Sequence, residues 1–292
     1  MDYFVAVLLP QMLHGLVFGA ALGLLALGLT VIFGLLGVMN IAHGELFTLG
    51  AYFGIVVIAL TQSFWVALIV APVGVALVGA LLEIFTLRPL YRREPLYGLI
   101  LTFGLALALR EIVREVWGGD MRRILEPITG SVPLLGMIYP KYRLFLLGAS
   151  LVLLCGIWFF FTRTRAGIIV RAAVQDAEML DGLGVDVPRV FTLTFAGSAA
   201  LAAVAGLLLA PIFTVVPTMG VEMILLAFIV VILGGMGSLG GSVLAALIIG
   251  EAQSLFSLWM NPQRVAIALF TIMILVLIVR PRGLFGREGV LE

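Results

Sequence analysis

Charge, lysine, cysteine and histidine are all scarce in this chain, and each scarcity closes a route. Charged residues make up 11% of 292 positions against 63% hydrophobic ones, and the mean hydropathy is +1.24. Soluble domains run at about 25% charged and about 45–50% apolar, so a water-soluble globule is excluded. A net charge of +1 leaves no basic face on which nucleic acid could sit. Of the seventeen basic residues all but Lys141 are arginine. A phosphate-cradling G-x-x-x-x-G-K-[ST] loop needs lysine directly after glycine, and Lys141 follows Pro140; the chain has no Walker-type ATP site of its own. Cys155 stands alone, which leaves no disulfide framework and no cysteine metal cluster. His14 and His43 are the only histidines, too far apart for H-E-x-x-H zinc ligation. No serine sits in a G-x-S-x-G setting, and no apolar span offers a lysine for a retinal-type Schiff base. The opening MDYFVAVLLPQML has neither a basic n-region nor a small-residue cleavage site, so it does not read as a removable signal peptide. Nothing marks a lipid anchor either.

What remains is apolar runs. A helical crossing needs about 20 apolar residues, and the pattern places spans at about 10–36, 41–60, 64–87, 96–109, 142–161, 190–209, 222–233, 243–258 and 265–279. The predicted fold is all-α: one polytopic transmembrane domain over 1–292, with about 8–9 helices. Two glycine-rich stretches are expected to break or re-enter: Gly34 to Asn40, where Gly34 and Gly37 weaken the helix, and GGMGSLGGS at 234–242, with Gly234, Gly235 and Gly237. The two share the order apolar run, glycine break, apolar run, the pattern of paired broken helices in two halves of a transporter. Gly15, Gly19 and Gly23, and again Gly50 and Gly54, offer small-xxx-small faces for close helix packing. The 222–233 span and the last one are short for a crossing.

The loop RPLYRREP, 88–95, reads as short and exposed. REIVREVW, 110–117, reads as a helix projecting into water, with Glu111 and Arg114 paired three apart. With the N-terminus outside, alternating spans put arginines 88, 92, 93, 163, 165, 171, 189, 280, 282 and 287 on one side, against seven basic residues on the other. The positive-inside bias then makes the 162–190 loop and the C-terminus cytoplasmic. Within that loop Arg171 to Leu183 reads as one short amphipathic helix. Ala173, Ala177 and Leu180 form its apolar side; Gln175, Asp176, Glu178 and Asp181 its polar side; Gly184 is its cap. Asp186 and Pro188 start the next helix. The helix is either a handle for a soluble partner or an interfacial helix on headgroups; its acidic polar face argues against anionic lipid as the contact.

Asn40, His43 and Glu45 are polar groups held within six positions of one another in the long apolar stretch 15–54. They either line a solute pathway or hydrogen-bond between spans. Asn40 and His43 are expected to share a helical face, whereas Glu45 points elsewhere and either pairs with an arginine or sits at a helix end. Glu222 reads as a carboxylate at an outer helix N-terminus. Glu251, flanked by apolar residues on both sides, keeps a proton-coupled carrier open as an alternative.

GLLGVMNIAHGELFTLGAY, 34–52, resembles the signature of the inner-membrane permeases of branched-chain amino acid ABC transporters, specifically their H-type subunit. TRAGIIVRAAVQDAEMLDGLGVDVPRV, 164–190, is similar to that family's ATPase-docking loop, and ILGGMGSLGGSVLAALIIGE, 232–251, to its late glycine-rich segment. One departure falls in the docking helix, where Leu180, Asp181 and Gly182 stand in place of small apolar residues. The resemblance implies a permease subunit without catalytic activity or a cofactor of its own, in a bacterial inner membrane. Its partners would be two cytoplasmic ATPase subunits that bind the ATP, a sister M-type permease or a second copy, and a periplasmic solute-binding protein. Arg171, Gln175, Asp176, Leu183 and Gly184 would form the docking contact. Asn40, His43, Glu45 and the glycines at 34, 37, 234, 235 and 237 would serve the pathway. Branched-chain amino acids are the first expectation for substrate; urea or short amides are the alternative.

Overall fold

The computed structural model describes residues 4–285 apart from 38 and 92; Arg92 and Arg287 of the orientation argument lie outside the described residues. Among the described residues eleven α-helices run in order: α1 (Leu9–Leu36), α2 (His43–Thr61), α3 (Phe64–Leu82), α4 (Pro95–Trp117), α5 (Lys141–Arg163), α6 (Arg165–Gln175), α7 (Ala177–Gly182), α8 (Val187–Leu209), α9 (Met219–Gly234), α10 (Leu239–Phe256) and α11 (Pro262–Val279). Eight helical stretches among the described residues are long and apolar enough to cross a membrane, and α9, with 16 residues, falls short of that length. This is a multi-pass membrane protein built as a helix bundle.

Close contacts organise the chain into two units. The larger comprises Gly28–Ile124 and Cys155–Ile224. Its centre is α2 packed on α3 and α8, and small residues make this approach possible. A methyl added at Gly50 would stand 2.3 Å from the Ala203 Cα, and one at Gly206 2.1 Å from the Phe47 carbonyl oxygen. Gly79 on α3 meets Ala199 on α8 in the same way. In a bilayer, where lipid tails are as apolar as leucine, such backbone proximity is what holds helices together. The faces expected at Gly50 and Gly54 are therefore used, both against α8.

The other unit comprises Met1–Leu27, Leu125–Leu154 and Leu225–Glu292. Gly15 and Gly19 press against α10: a methyl at Gly19 would lie 2.8 Å from the Ala246 carbonyl oxygen, and one at Gly250 2.5 Å from the Gly19 Cα. Gln11 and Ser254 exchange side-chain-to-backbone hydrogen bonds of 2.6 Å each. The backbone N–H groups of Leu284 and Phe285 donate to the carbonyls of Leu233 and Gly234, tying the segment after α11 to the end of α9. A hairpin not foreseen in the 118–142 connection pairs β1 (Ser131–Leu134) with β2 (Met137–Pro140), turning on Leu135 and Gly136 at φ 50° and 83°.

Several boundaries differ from expectation. Helix α1 continues through Gly34, so the break is confined to the residues after Leu36, with Gly37 at φ 63°. The later break shrinks to 235–238 because Ser238 caps α10 and draws Gly240 and Gly241 into it; Gly235 and Gly237 take φ 100° and 81°. The single helix expected over Arg171–Leu183 is two, α6 beginning at Arg165 and α7 at Ala177. Asp176 accounts for the interruption. Its side chain accepts from the Met179 N–H at 2.8 Å, and an aspartate that caps a new helix takes its own backbone out of the old one.

Candidate functional site

Asn40, His43 and Glu45 are all buried, at 2%, 0% and 2% exposure. Helix α2 begins at His43 rather than Ile41, so Asn40 lies in the turn ahead of it and shares no helical face with His43. Thr102 of α4 holds that turn. Its hydroxyl accepts from the Ile41 N–H at 3.3 Å and faces the Met39 carbonyl at 3.2 Å. Among the described residues neither side-chain amide atom of Asn40 has a hydrogen-bond partner. The His43 imidazole packs against Gly28 of α1, where an added methyl would come within 3.0 Å of both Nε2 and the Ser198 carbonyl oxygen. Glu45 turns to Arg110: Oε1 accepts from Nη2 at 2.7 Å and Nε at 3.1 Å, while Oε2 is buried without a partner among the described residues. Arg110 was expected on a water-facing helix end; Glu111 and Arg114 do pair there, at 3.6 Å and exposed, but Arg110 reaches inward. Gly44 completes the setting. A methyl on it would stand 2.4 Å from the Gly220 carbonyl, so α2 is seated backbone to backbone on the start of α9.

The segment between α5 and α8 is the second candidate. Thr164 caps α6, accepting from the Gly167 N–H at 3.0 Å. The expected faces hold: Ala173 and Leu180 are buried, Ala177 is partly so, and Gln175, Asp176, Glu178 and Asp181 are exposed. Gly184, at φ 83°, closes α7 with a double bond pattern: its N–H donates to Asp181 and that of Val185 to Leu180. Asp186 then caps α8 by accepting from the Arg189 N–H at 3.1 Å. Arg171, Gln175, Asp176, Leu183 and Gly184 are all exposed, Leu183 at 76%.

Beneath this segment lies a cluster that sequence reasoning missed. Past Leu82, α3 widens into a π-turn over Glu83–Leu87, followed by a tight 3-10 turn at Arg88–Leu90. Glu83 is fully buried. Its Oε1 accepts from the Arg88 Nε at 3.3 Å and from the Tyr91 hydroxyl; its Oε2 accepts from the Arg88 Nη2 at 3.2 Å and the Thr192 hydroxyl of α8 at 2.6 Å. Arg88 also donates to Thr192. Burial, reinforced by the bond to Glu83, pushes the Tyr91 phenol well above the ordinary phenol range. The 88–95 loop is thus anchored inward rather than simply exposed. The one available signal was a lone glutamate at the end of an apolar span with an arginine five residues on. On an α-helix those two positions lie about 140° apart, and only the π-turn brings them together.

Relatives give the arrangement its family. The model of "Branched-chain amino acid transport system / permease component" matches residues 11–279. The high-affinity branched-chain amino acid transport system permease protein LivH of Salmonella typhimurium is 30% identical over 97% of this chain and 96% of its own. The permease protein BraD of Pseudomonas aeruginosa is 29% identical over 97% of each. Among solved structures, PsaBC from Streptococcus pneumoniae, in complex with Fab, matches with a TM-score of 0.50 at 12% identity, covering 92% of this chain and 91% of that one, a likeness of fold alone. The matching family is one of transport permease components, and the chain belongs to it: the family of permease components of branched-chain amino acid transport systems.

Proposed function

We propose that the chain is the membrane-spanning permease subunit of an ABC importer for branched-chain or related amino acids. Two separate cytoplasmic ATPase subunits drive it and bind the ATP, and the chain itself carries no cofactor. A periplasmic binding protein delivers the solute. An M-type permease or a second copy completes the membrane part, in a bacterial inner membrane with the N-terminus outside and the C-terminus cytoplasmic. The observation that carries the coupling is α6–α7: a capped, folded helix pair whose inner face is packed and whose outer face leaves Arg171, Gln175, Asp176, Leu183 and Gly184 open. That face is the ATPase contact. In this reading Asn40, His43 and Glu45 serve the solute pathway, and the breaks at Gly37 and at Gly235 and Gly237, next to helical Gly34 and Gly234, are where spans tilt as ATPase closure pulls on α6–α7.

Reconstitution tests this directly. Proteoliposomes holding the complete transporter should accumulate labelled leucine when ATP is inside and loaded binding protein outside. The same chain without ATPases should accumulate none, with or without a pH gradient. Gradient-driven uptake by the chain alone, abolished by Glu251→Gln, would replace this reading with the proton-coupled one. Glu251 is suited to that role by an Oε2 that is buried without a partner among the described residues.

A further inference from the structure

We infer that Glu83 is the hub of a polar latch, with Arg88, Tyr91 and Thr192, that makes α3 move with the α6–α7 segment. Glu83 and its partners are therefore positioning residues for coupling. The inference rests on α6–α7 being the ATPase contact.

The argument begins with what holds α6–α7. Along the chain it is joined to α5, where a methyl on Gly167 would stand 2.2 Å from the Phe160 carbonyl, and to α8 through the Asp186 cap. A pull on it therefore reaches α5 and α8 directly. No covalent route of comparable length leads to α3. The route that exists is lateral. Ala173 and Leu180 share a buried cluster with Val187 and Phe191 of α8, and Tyr91 and Leu35 pack against that cluster. The Tyr91 ring meets the Phe191 ring edge-on at 5.1 Å. Apolar contacts of this kind slide; hydrogen bonds to a buried carboxylate do not, because they fix direction as well as distance.

Tyr91 is where the two kinds of contact join. Its ring belongs to the apolar cluster and its hydroxyl to Glu83. Thr192 is the other junction: it sits on α8, donates to Glu83 and accepts from Arg88. Among the described residues, the donors to the carboxylate come from the loop after α3, Arg88 and Tyr91, and from Thr192 of α8. A buried ionic group so fully satisfied adds little net stability over an apolar replacement but specifies one geometry. The local backbone is shaped to the same end, since a π-turn, a geometry frequent at functional sites, is what turns Arg88 onto Glu83. From α3 the motion has a path onward: Gly74 packs on Phe53 of α2, the helix that carries His43 and Glu45. Leu35, at the end of α1, ties the same cluster to the break at Gly37.

The test uses the complete transporter in proteoliposomes, with leucine as solute. Three quantities are read: a disulfide cross-link from Glu178→Cys on α7 to the ATPase, ATP hydrolysis, and leucine taken up per ATP hydrolysed. Glu83→Gln, Tyr91→Phe and Thr192→Val should keep the cross-link and at least half the hydrolysis while lowering uptake per ATP tenfold or more. Thr192→Ser, which retains the hydroxyl, should return the ratio to within twofold of wild type, a rescue that a purely packing role for Thr192 would not produce. If Glu83→Gln fails to accumulate, the Thr192 pair decides. An unchanged ratio in Thr192→Val, or a Thr192→Ser as impaired as Thr192→Val, overturns the latch while leaving the docking contact standing. Absence of the cross-link in an otherwise wild-type chain overturns both.

Discussion

Glu45 and Arg110 form a pair whose worth can be measured by removing it in two ways. Their atoms lie 2.7 and 3.1 Å apart, with Glu45 2% exposed and Arg110 27%. At about 3 Å and an effective dielectric near 20, the attraction is about 5 kcal/mol. Desolvating both groups cancels most of it. The pair as a whole is therefore close to neutral against an apolar replacement, but either half left alone is costly. Arg110→Met strands a carboxylate whose second oxygen already lacks a partner among the described residues, and such a loss runs to about 3–5 kcal/mol. The partial exposure of Arg110 places it at the lower end, about 3 kcal/mol. The double variant Glu45→Gln, Arg110→Met leaves no stranded charge and should lose about 1 kcal/mol, the scale of one imperfect buried hydrogen bond. The double variant should therefore be more stable than Arg110→Met by about 2 kcal/mol. Unfolding by SDS in mixed micelles reads this. Trp117 serves as an internal probe, lying on α4 with its ring 5.5 Å from that of Tyr52 on α2. If the two single losses simply add in the double variant within about 0.5 kcal/mol, the pair does not interact as described and the reasoning fails.

Three further outcomes follow from close contacts and titration. Gly50→Val should destabilise by about 3 kcal/mol or more, because its first added carbon would meet the Ala203 backbone at 2.3 Å, while Gly104→Ala, with nothing within 4 Å, should be neutral or better; equal effects in a detergent melt would refute backbone seating as the basis of the α2–α8 contact. Gly184→Ala should cost about 1–2 kcal/mol, since φ 83° disfavours any Cβ, and should weaken ATPase co-purification; a variant that melts and co-purifies like wild type would show that the turn is not needed. For Tyr91 the folded pKa is raised above an unfolded value of about 10. Its contribution is therefore fully present below about pH 10 and is lost as pH rises toward the folded value. Wild type should lose stability above about pH 10 more steeply than Tyr91→Phe, and parallel alkaline melting curves would contradict the buried bond to Glu83.

Features set by neighbours along the chain were legible in the sequence. Spans showed as apolar runs, the cap at Gly184 and the start at Asp186 as turn residues flanking amphipathic ones, and the close approaches at Gly15, Gly19, Gly50 and Gly54 as four-residue glycine spacing. The faces of the 171–183 stretch were also right, since burial follows helical periodicity. The interruption at Asp176 was missed for a reason within that same logic. A polar residue on the outer face of a helix and one that caps a second helix satisfy the same pattern, and only the Met179 N–H decides between them.

The charged residues show where local reading stops. Arg110 stands in REIVREVW, a run whose spacing satisfies itself, Glu111 with Arg114, so periodicity has no reason to send any of it inward. Its true partner is 65 residues back, and what selects Arg110 over Arg114 is α4 lying beside α2. Glu83 is the sharper instance. Hydropathy sees one charge at the end of a span and assigns it to the interface, where its cost is small. The structure instead buries it completely and supplies donors from the loop after α3 and from α8, one of them, Arg88, within reach only because the helix abandons α geometry for a single turn. A membrane chain keeps a charge at such a place when the bonds formed there fix an arrangement that apolar packing would leave free to slide. Among the described residues both buried carboxylates bind arginines that follow a span's apolar part; Glu45 joins α2 to α4 through Arg110, and Glu83 joins α3 to α8 through the Thr192 hydroxyl, so the two carboxylates tie together helices of the unit that also carries α6–α7.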